Sequence, residues 1–202
     1  MRTNSPLRSS FSLPLRTAVW LLLGSLLLSS CSSIISASRQ DAIEENYNKR
    51  TTGAYIDDKF IATKAKVNID KSDPQLKKAQ VQVDSFNGVV LLTGNVPSSA
   101  MRDLATETVQ KIRKVRRVHN ELEIGPPRSA GATLGDTWLS SKVKSRLLFD
   151  KRVNSRRIHV VTENGVIYLM GLVTHDEANT AVAVTKKAYG LQKIVRVFEY
   201  ID

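Results

Sequence analysis

Three histidines, one cysteine and one tryptophan-bearing segment are the places where this chain could do chemistry. His119, His159 and His175 stand apart, with no second His, Cys or carboxylate at metal-ligand spacing. His159 sits among strand residues, the usual setting of a structural imidazole. There is no glycine-rich phosphate loop and no Gly-x-Ser-x-Gly nucleophile elbow. Gly88 and Gly94 fit a turn and strand packing instead. These absences predict a protein that is not an enzyme, with no catalytic residues, no metal, no bound cofactor and no small-molecule substrate.

The segment from Asp136 to Phe149 offers binding rather than catalysis. At about 100° per residue from Trp138, Leu139, Val143 and Leu147 fall at about 100°, 140° and 180°. They form a core face. Trp138, Ser141, Ser145 and Leu148 fall at about 0°, 300°, 340° and 280°, on a separate face. Lys142 flanks that face and Phe149 follows at the helix end. A soluble helix needs one apolar stripe, so the second requires a partner. Packing on a neighbouring loop or domain would satisfy it, and so would a protein groove. A bilayer interface suits it better. Tryptophan buries its ring there and keeps its N–H wet. Lys142, Lys144 and Arg146 would each add about 1 kcal/mol near an anionic surface. Trp138, Ser141, Lys142, Ser145, Leu148 and Phe149 are therefore the expected contact with anionic phospholipid.

The element that carries this face occurs twice. Residues 87–96 read Asn-Gly-Val-Val-Leu-Leu-Thr-Gly-Asn-Val, and residues 164–173 read Asn-Gly-Val-Ile-Tyr-Leu-Met-Gly-Leu-Val. A repeat of this spacing is longer than a solenoid unit and marks a duplicated small domain. In each copy a helix opens at Asp57 or Asp136, residues suited to N-caps. Ile61, Ala65 and Ile69 in the first copy match Leu139, Val143 and Leu147 in the second. Two apolar strands follow, joined by Asn87-Gly88 or Asn164-Gly165, a type I′ hairpin signal. A second helix is expected near Ser98–Lys114 and His175–Tyr189. A last strand is expected near Arg116–Ile124 and Lys193–Ile201.

Val166, Tyr168, Met170 and Leu172 fall on one strand face, Ile167 and Leu169 on the other. A sheet apolar on both faces needs cover on both. Two helices supply one cover, and the sister domain is expected to supply the other. The first copy places Phe60, Thr63, Val67 and Asp70 where the second has its spare face. With Asp57 and Asp58 nearby, that end reads as acidic and suited to packing or protein contact.

The N-terminus reads as an export signal. Arg2, Arg8 and Arg16 precede the apolar run Ala18–Leu28, which is too short to span a bilayer. Leu28-Ser29-Ser30-Cys31 resembles the lipobox of bacterial lipoproteins. That resemblance implies a covalent lipid on Cys31, palmitate among its acyl chains, and Ser32 in place of an inner-membrane retention aspartate. It predicts a protein anchored in the outer membrane and facing the periplasm. The whole chain carries 30 Lys+Arg against 19 Asp+Glu, net +11. Three of the basic residues lie in the leader. The surplus that remains suits a polyanionic partner, and export argues against nucleic acid. Lys111–Val118 is the densest basic run and reads as a solvated helix end. Residues 1–30 are assigned to the signal peptide, 31–54 to the lipidated tether, 55–125 and 136–202 to the two domains, and 126–135 to the linker.

Asp136, Leu139, Lys142–Lys144, Val161, Asn164, Gly165, Leu169, Gly171, Gly190, Leu191 and Ile194 resemble the BON-domain pattern. Asp58, Ile61, Lys64–Lys66, Asn87, Gly88, Leu92 and Gly94 repeat it. Lys114 departs from it at the position of Gly190. The resemblance implies an α+β fold, two tandem α-β-β-α-β units, each a small mixed sheet covered by two helices. With the leader and Cys31 it is similar to dual-BON outer-membrane lipoproteins. It implies anionic phospholipid binding, a part in outer-membrane integrity, and enrichment at the division site. The rival reading is a periplasmic adaptor or chaperone that offers the same apolar helix face to an envelope protein.

Overall fold

The computed structural model describes residues 50–127 and 130–202, Ala130 by its backbone alone. They fall within one compact unit, Asn46–Asp202. The leader, Cys31, most of the tether and the linker residues Arg128 and Ser129 lie outside the described residues. No described helix is long and apolar enough to cross a membrane.

The first copy runs α1 (Thr52–Ser72), α2 (Pro74–Ala79), β1 (Gln82–Phe86), β2 (Val89–Thr93), β3 (Asn95–Val96), α3 (Ser99–Gln110), β4 (Arg117–Asn120) and β5 (Glu123–Ile124). The second runs α4 (Ala130–Phe149), a 3₁₀ turn (Ser155–Arg157), β6 (Ile158–Glu163), β7 (Val166–Val173), α5 (His175–Thr185) and β8 (Lys193–Tyr200). Each three-stranded sheet is mixed, and β3 pairs parallel with β5 in a separate two-stranded sheet. β1 and β2 pair antiparallel and β4 adds parallel to β2; β6, β7 and β8 repeat that arrangement. The fold is α+β, as the duplicated pattern predicts.

The helices start earlier than the aspartates suggest. Thr51 caps α1 by accepting the Ala54 N–H at 3.0 Å. α4 begins at Ala130, within the segment read as linker. Asp57 and Asp136 therefore sit inside helices, and neither is an N-cap. The carboxylates of Asp58 and Asp136 reach across to the hairpins. Asp58 accepts the N–H groups of Asn87 (2.7 Å) and Gly88 (2.8 Å), the Ser85 hydroxyl (2.7 Å) and the Arg50 guanidinium (2.6 Å). Asp136 accepts the N–H groups of Asn164 and Gly165, each at 2.8 Å. Both turns need these donors taken up elsewhere, because Asn87 (φ 53°), Gly88 (φ 74°), Asn164 (φ 48°) and Gly165 (φ 73°) are all left-handed. One aspartate in each copy thus locks the first helix onto the hairpin turn.

Two cores lie between helices and sheets. Ile61, Ala65 and Ile69 pack with Val90, Leu92, Ala105 and Val109. Leu139, Val143 and Leu147 pack with Val160, Ile167, Leu169, Ala181 and Phe198. The alternate strand residues build a third cluster between the sheets: Phe86, Val89 and Leu91 meet Val161, Tyr168, Met170, Leu172 and Val197. The layers run helices, sheet, sheet, helices. The domains pack through the sheet faces that the helices leave bare, as the two-faced strands require. Polar bonds rim this contact. Glu199 accepts from Asn87 Nδ2 (2.8 Å) and pairs with Arg116 (2.8 Å), while His159 Nε2 lies 2.8 Å from Asp84. His159 is thus a structural imidazole between domains.

Gly171 marks a close approach of backbones. A Cβ there would stand 2.5 Å from the Arg157 carbonyl oxygen. Gly171→Ala is expected to lower stability by about 1–3 kcal/mol through forced separation of β6 and β7. Urea unfolding followed by circular dichroism measures it, and a loss below about 0.5 kcal/mol would mean that the strands yield freely.

Candidate functional site

α4 divides its residues sharply between core and solvent. Leu139, Val143 and Leu147 are buried. On the opposite side Trp138 is 57 % exposed, Leu148 65 % and Phe149 80 %. Ser141 and Ser145 between them are exposed, and Lys142 is half-buried. The structure therefore brings all six expected contact residues onto one outward region of α4. The Lys142 ammonium sits 3.8 Å from the Trp138 ring centroid, a cation–π contact that sets a positive charge against the ring face. The Ser141 hydroxyl donates to the Thr137 carbonyl at 2.9 Å, so it is turned back along the helix. Lys144 and Arg146 are exposed. Past Phe149 the chain turns on a fork in which Arg152 Nε and Nη2 donate to Asp150 at 3.0 and 2.8 Å. Those bonds hold the Asp150 carboxyl down at about 2.

Two further residues extend this surface. Leu134, four positions before Trp138, is exposed on the same stripe. Its signal was present in the i, i+4 spacing, hidden by its place in a segment read as linker. Tyr189 is 84 % exposed at the end of the turn after α5. Tyr189 and Trp138 both line a cleft of about 500 Å³ above the Asn164-Gly165 turn. No periodicity connects them, since Trp138 lies on α4 and Tyr189 in the turn after α5, and they meet only through the fold.

The first copy has the same cleft in altered form. Its lining includes Asp57, Phe60, Lys64, Arg113 and Lys114, and its volume is about 250 Å³. Lys114 bonds Asp57 at 2.7 Å. Lys114 also takes a left-handed conformation (φ 73°), as Gly190 does (φ 89°), so the departure from the pattern leaves that turn in place. The acids that make this end look negative are each paired. Asp57 meets Lys114, Asp58 meets Arg50, and Asp70 meets Lys66 at 2.6 Å. The difference between copies therefore lies more in cleft shape and aromatic content than in net charge.

Among the described residues no group of three or more His, Cys, Asp or Glu is placed to hold a metal. His175 is occupied with Asp202 (2.8 Å) and stacks on Tyr200 at 3.9 Å between ring centroids. Burial, and then Arg117, hold the His119 imidazole below its usual range. Burial pushes the Tyr168 phenol well above its usual range within the layer between the sheets.

The BON domain family matches residues 57–126 and again residues 135–202. The chain belongs to the BON family. It is similar to the outer membrane lipoprotein DolP of Haemophilus influenzae, with 35 % identity covering 94 % of this chain and 98 % of that protein. The 21 kDa hemolysin of Actinobacillus pleuropneumoniae is 30 % identical over 76 % of this chain and 79 % of its own length. The osmotically-inducible protein Y of Escherichia coli is 27 % identical over 85 % of each chain. Asp58 and Asp136 in their helices, and the Asn-Gly turns they hold, fall within the matched regions.

Proposed function

We propose that this BON protein is an outer-membrane lipoprotein, anchored through lipid on Cys31 and facing the periplasm. Its second domain binds anionic phospholipid through α4, and its output is support of the outer-membrane barrier, with enrichment at the division site. The similarity to an outer membrane lipoprotein over nearly the whole chain supports the location. The observation that carries the binding reading is the exposed band of Trp138, Leu148 and Phe149 on a helix whose core face is already filled.

Physical terms favour a bilayer. Burying Trp138 and Leu148 contributes roughly 1.5–3 kcal/mol each if complete. Lys142, Lys144 and Arg146 add about 1 kcal/mol each at an anionic surface. The sum is modest, which suits a domain already tethered close to the membrane. The second contact then selects lipid composition and sets orientation.

Sedimentation with phosphatidylglycerol vesicles tests this, using the unlipidated chain from Ser32 to Asp202. Trp138→Glu is expected to weaken binding roughly tenfold or more, since it removes apolar burial and adds a repelled charge. Added salt should weaken the parent by screening the lysine and arginine contribution. If Trp138→Glu sediments as the parent does, the lipid contact is not at this helix. If the parent ignores all vesicles but captures an envelope protein through Trp138, the adaptor reading replaces this one.

A further inference from the structure

We propose that the cleft between Trp138 and Tyr189 takes up a single anionic glycerophospholipid from the bilayer surface. Its glycerol and upper acyl segment lie between the two rings, and its phosphate faces Lys142. This rests on the reading of α4 as the membrane contact and adds to it a defined one-lipid site with a second wall.

Comparison of the two copies carries the inference. The cleft occurs twice at one place in the fold, between the first helix and the turn that ends the second, and in the second copy it extends over the Asn164-Gly165 turn. In the first copy Asp57 stands on the helix wall and Lys114 on the facing turn, and their 2.7 Å ion pair bridges the opening. In the second copy glycines stand at both positions, Gly135 and Gly190. The bridge is gone, and the space doubles from about 250 to about 500 Å³. That volume lies within the range of small-molecule sites. Arg113 of the first copy gives way to Tyr189, so the walls become two exposed aromatics with polar edges.

The chemistry of the rim points to an anionic lipid. Trp and Tyr favour the headgroup level of a bilayer, where one edge is apolar and the other wet. Lys142 lies against the Trp138 ring, and Lys186 and Lys193, exposed and without an ion pair among the described residues, flank Tyr189 in sequence. The acid that lines the cleft, Asp136, directs both carboxylate oxygens to the turn N–H groups. An anion at the Trp138 wall therefore meets the Lys142 ammonium, with the lining carboxylate of Asp136 already engaged.

Gly135 permits a clean test. A Cβ there meets nothing within 4 Å, so a larger residue fills the cleft without displacing the core. The described residues lie within one compact unit starting at Asn46, so the chain from Ser32 keeps the fold whole. In it Trp138 is the sole tryptophan, because the other, Trp20, lies in the leader. The probe is dihexanoyl phosphatidylglycerol kept below its micelle-forming concentration, read by Trp138 emission and by calorimetric stoichiometry. The parent should saturate at one lipid per chain with a blue shift. Gly135→Phe should weaken this roughly tenfold or more, and Tyr189→Ser should also weaken it. Gly135→Phe should keep sedimenting with phosphatidylglycerol vesicles through Leu148 and Phe149.

Unchanged monomer binding by Gly135→Phe, or no monomer binding by the parent, overturns the cleft proposal while vesicle binding still stands. Equal affinity for dihexanoyl phosphatidylcholine overturns the anionic headgroup. One-to-one binding by a parent that ignores vesicles supports the cleft and instead sinks the membrane-contact reading on which it was placed.

Discussion

Asp58→Ala is expected to destabilise the first domain by about 3–5 kcal/mol, the scale of breaking a buried charged network from one side. The carboxylate is 2 % exposed and accepts from two turn amides, a serine hydroxyl and the Arg50 guanidinium. Alanine leaves four donors without their acceptor. The guanidinium can rotate to water, but the turn amides of Asn87 and Gly88 are fixed by left-handed φ values and cannot. Asp58→Asn should recover only part of the loss, because the amide offers one acceptor oxygen where two are used. For a folded unit of this size the melting temperature should fall by roughly 6–20 °C. Scanning calorimetry measures it. A fall under about 2 °C would mean that the carboxylate is incidental to the hairpin.

Met170→Asp is expected to part the two domains. Met170 is fully buried between the sheets, facing Leu91, Phe86 and their neighbours. A carboxylate there is an unpaired buried charge, and such changes cost about 4 kcal/mol or more unless the site opens. Opening is available, because the helix-side cores of the two copies do not include Met170. The expected outcome is two domains that keep their own cores but tumble separately, each marginally stable for its size. NMR relaxation reads this as a shorter rotational correlation time for both. A variant that still tumbles as one body with near-parental stability would show that the sheet-to-sheet layer is not what joins them.

Much of this fold could be read from periodicity. Ile167 and Leu169 alternate with Tyr168 and Met170, and that period alone predicts a sheet buried on both sides. The Asn-Gly pairs announce the hairpins because few other residues accept two consecutive left-handed positions. The reading of Asp57 and Asp136 as N-caps fails for a physical reason. Asp136, and in the first copy Asp58 beside Asp57, satisfy backbone donors, as caps do, but donors 28–30 residues away. Sequence spacing carries no trace of that pairing.

The site was half legible. The outward stripe of α4 follows from 3.6-residue geometry, so Trp138 and Leu148 were placed where they stand. Tyr189 was not, because its relation to Trp138 exists only after α5 folds against α4. Gly135 and Gly190 likewise mean nothing apart until Asp57 and Lys114 show what bridges that opening in the sister copy. Charge counting also misleads in the first copy, where Asp57, Asp58 and Asp70 each have a cation within 2.7 Å.

The most direct test of the membrane account is depth-resolved quenching of Trp138 emission in the unlipidated chain. Phosphatidylglycerol vesicles carrying bromines at successive acyl positions supply the depth scale. The account predicts a blue shift on binding and the strongest quenching from bromines nearest the glycerol, falling toward the bilayer centre. Emission that stays unshifted and unquenched while the protein is bound to the vesicles would contradict it, because Trp138 would then remain in water.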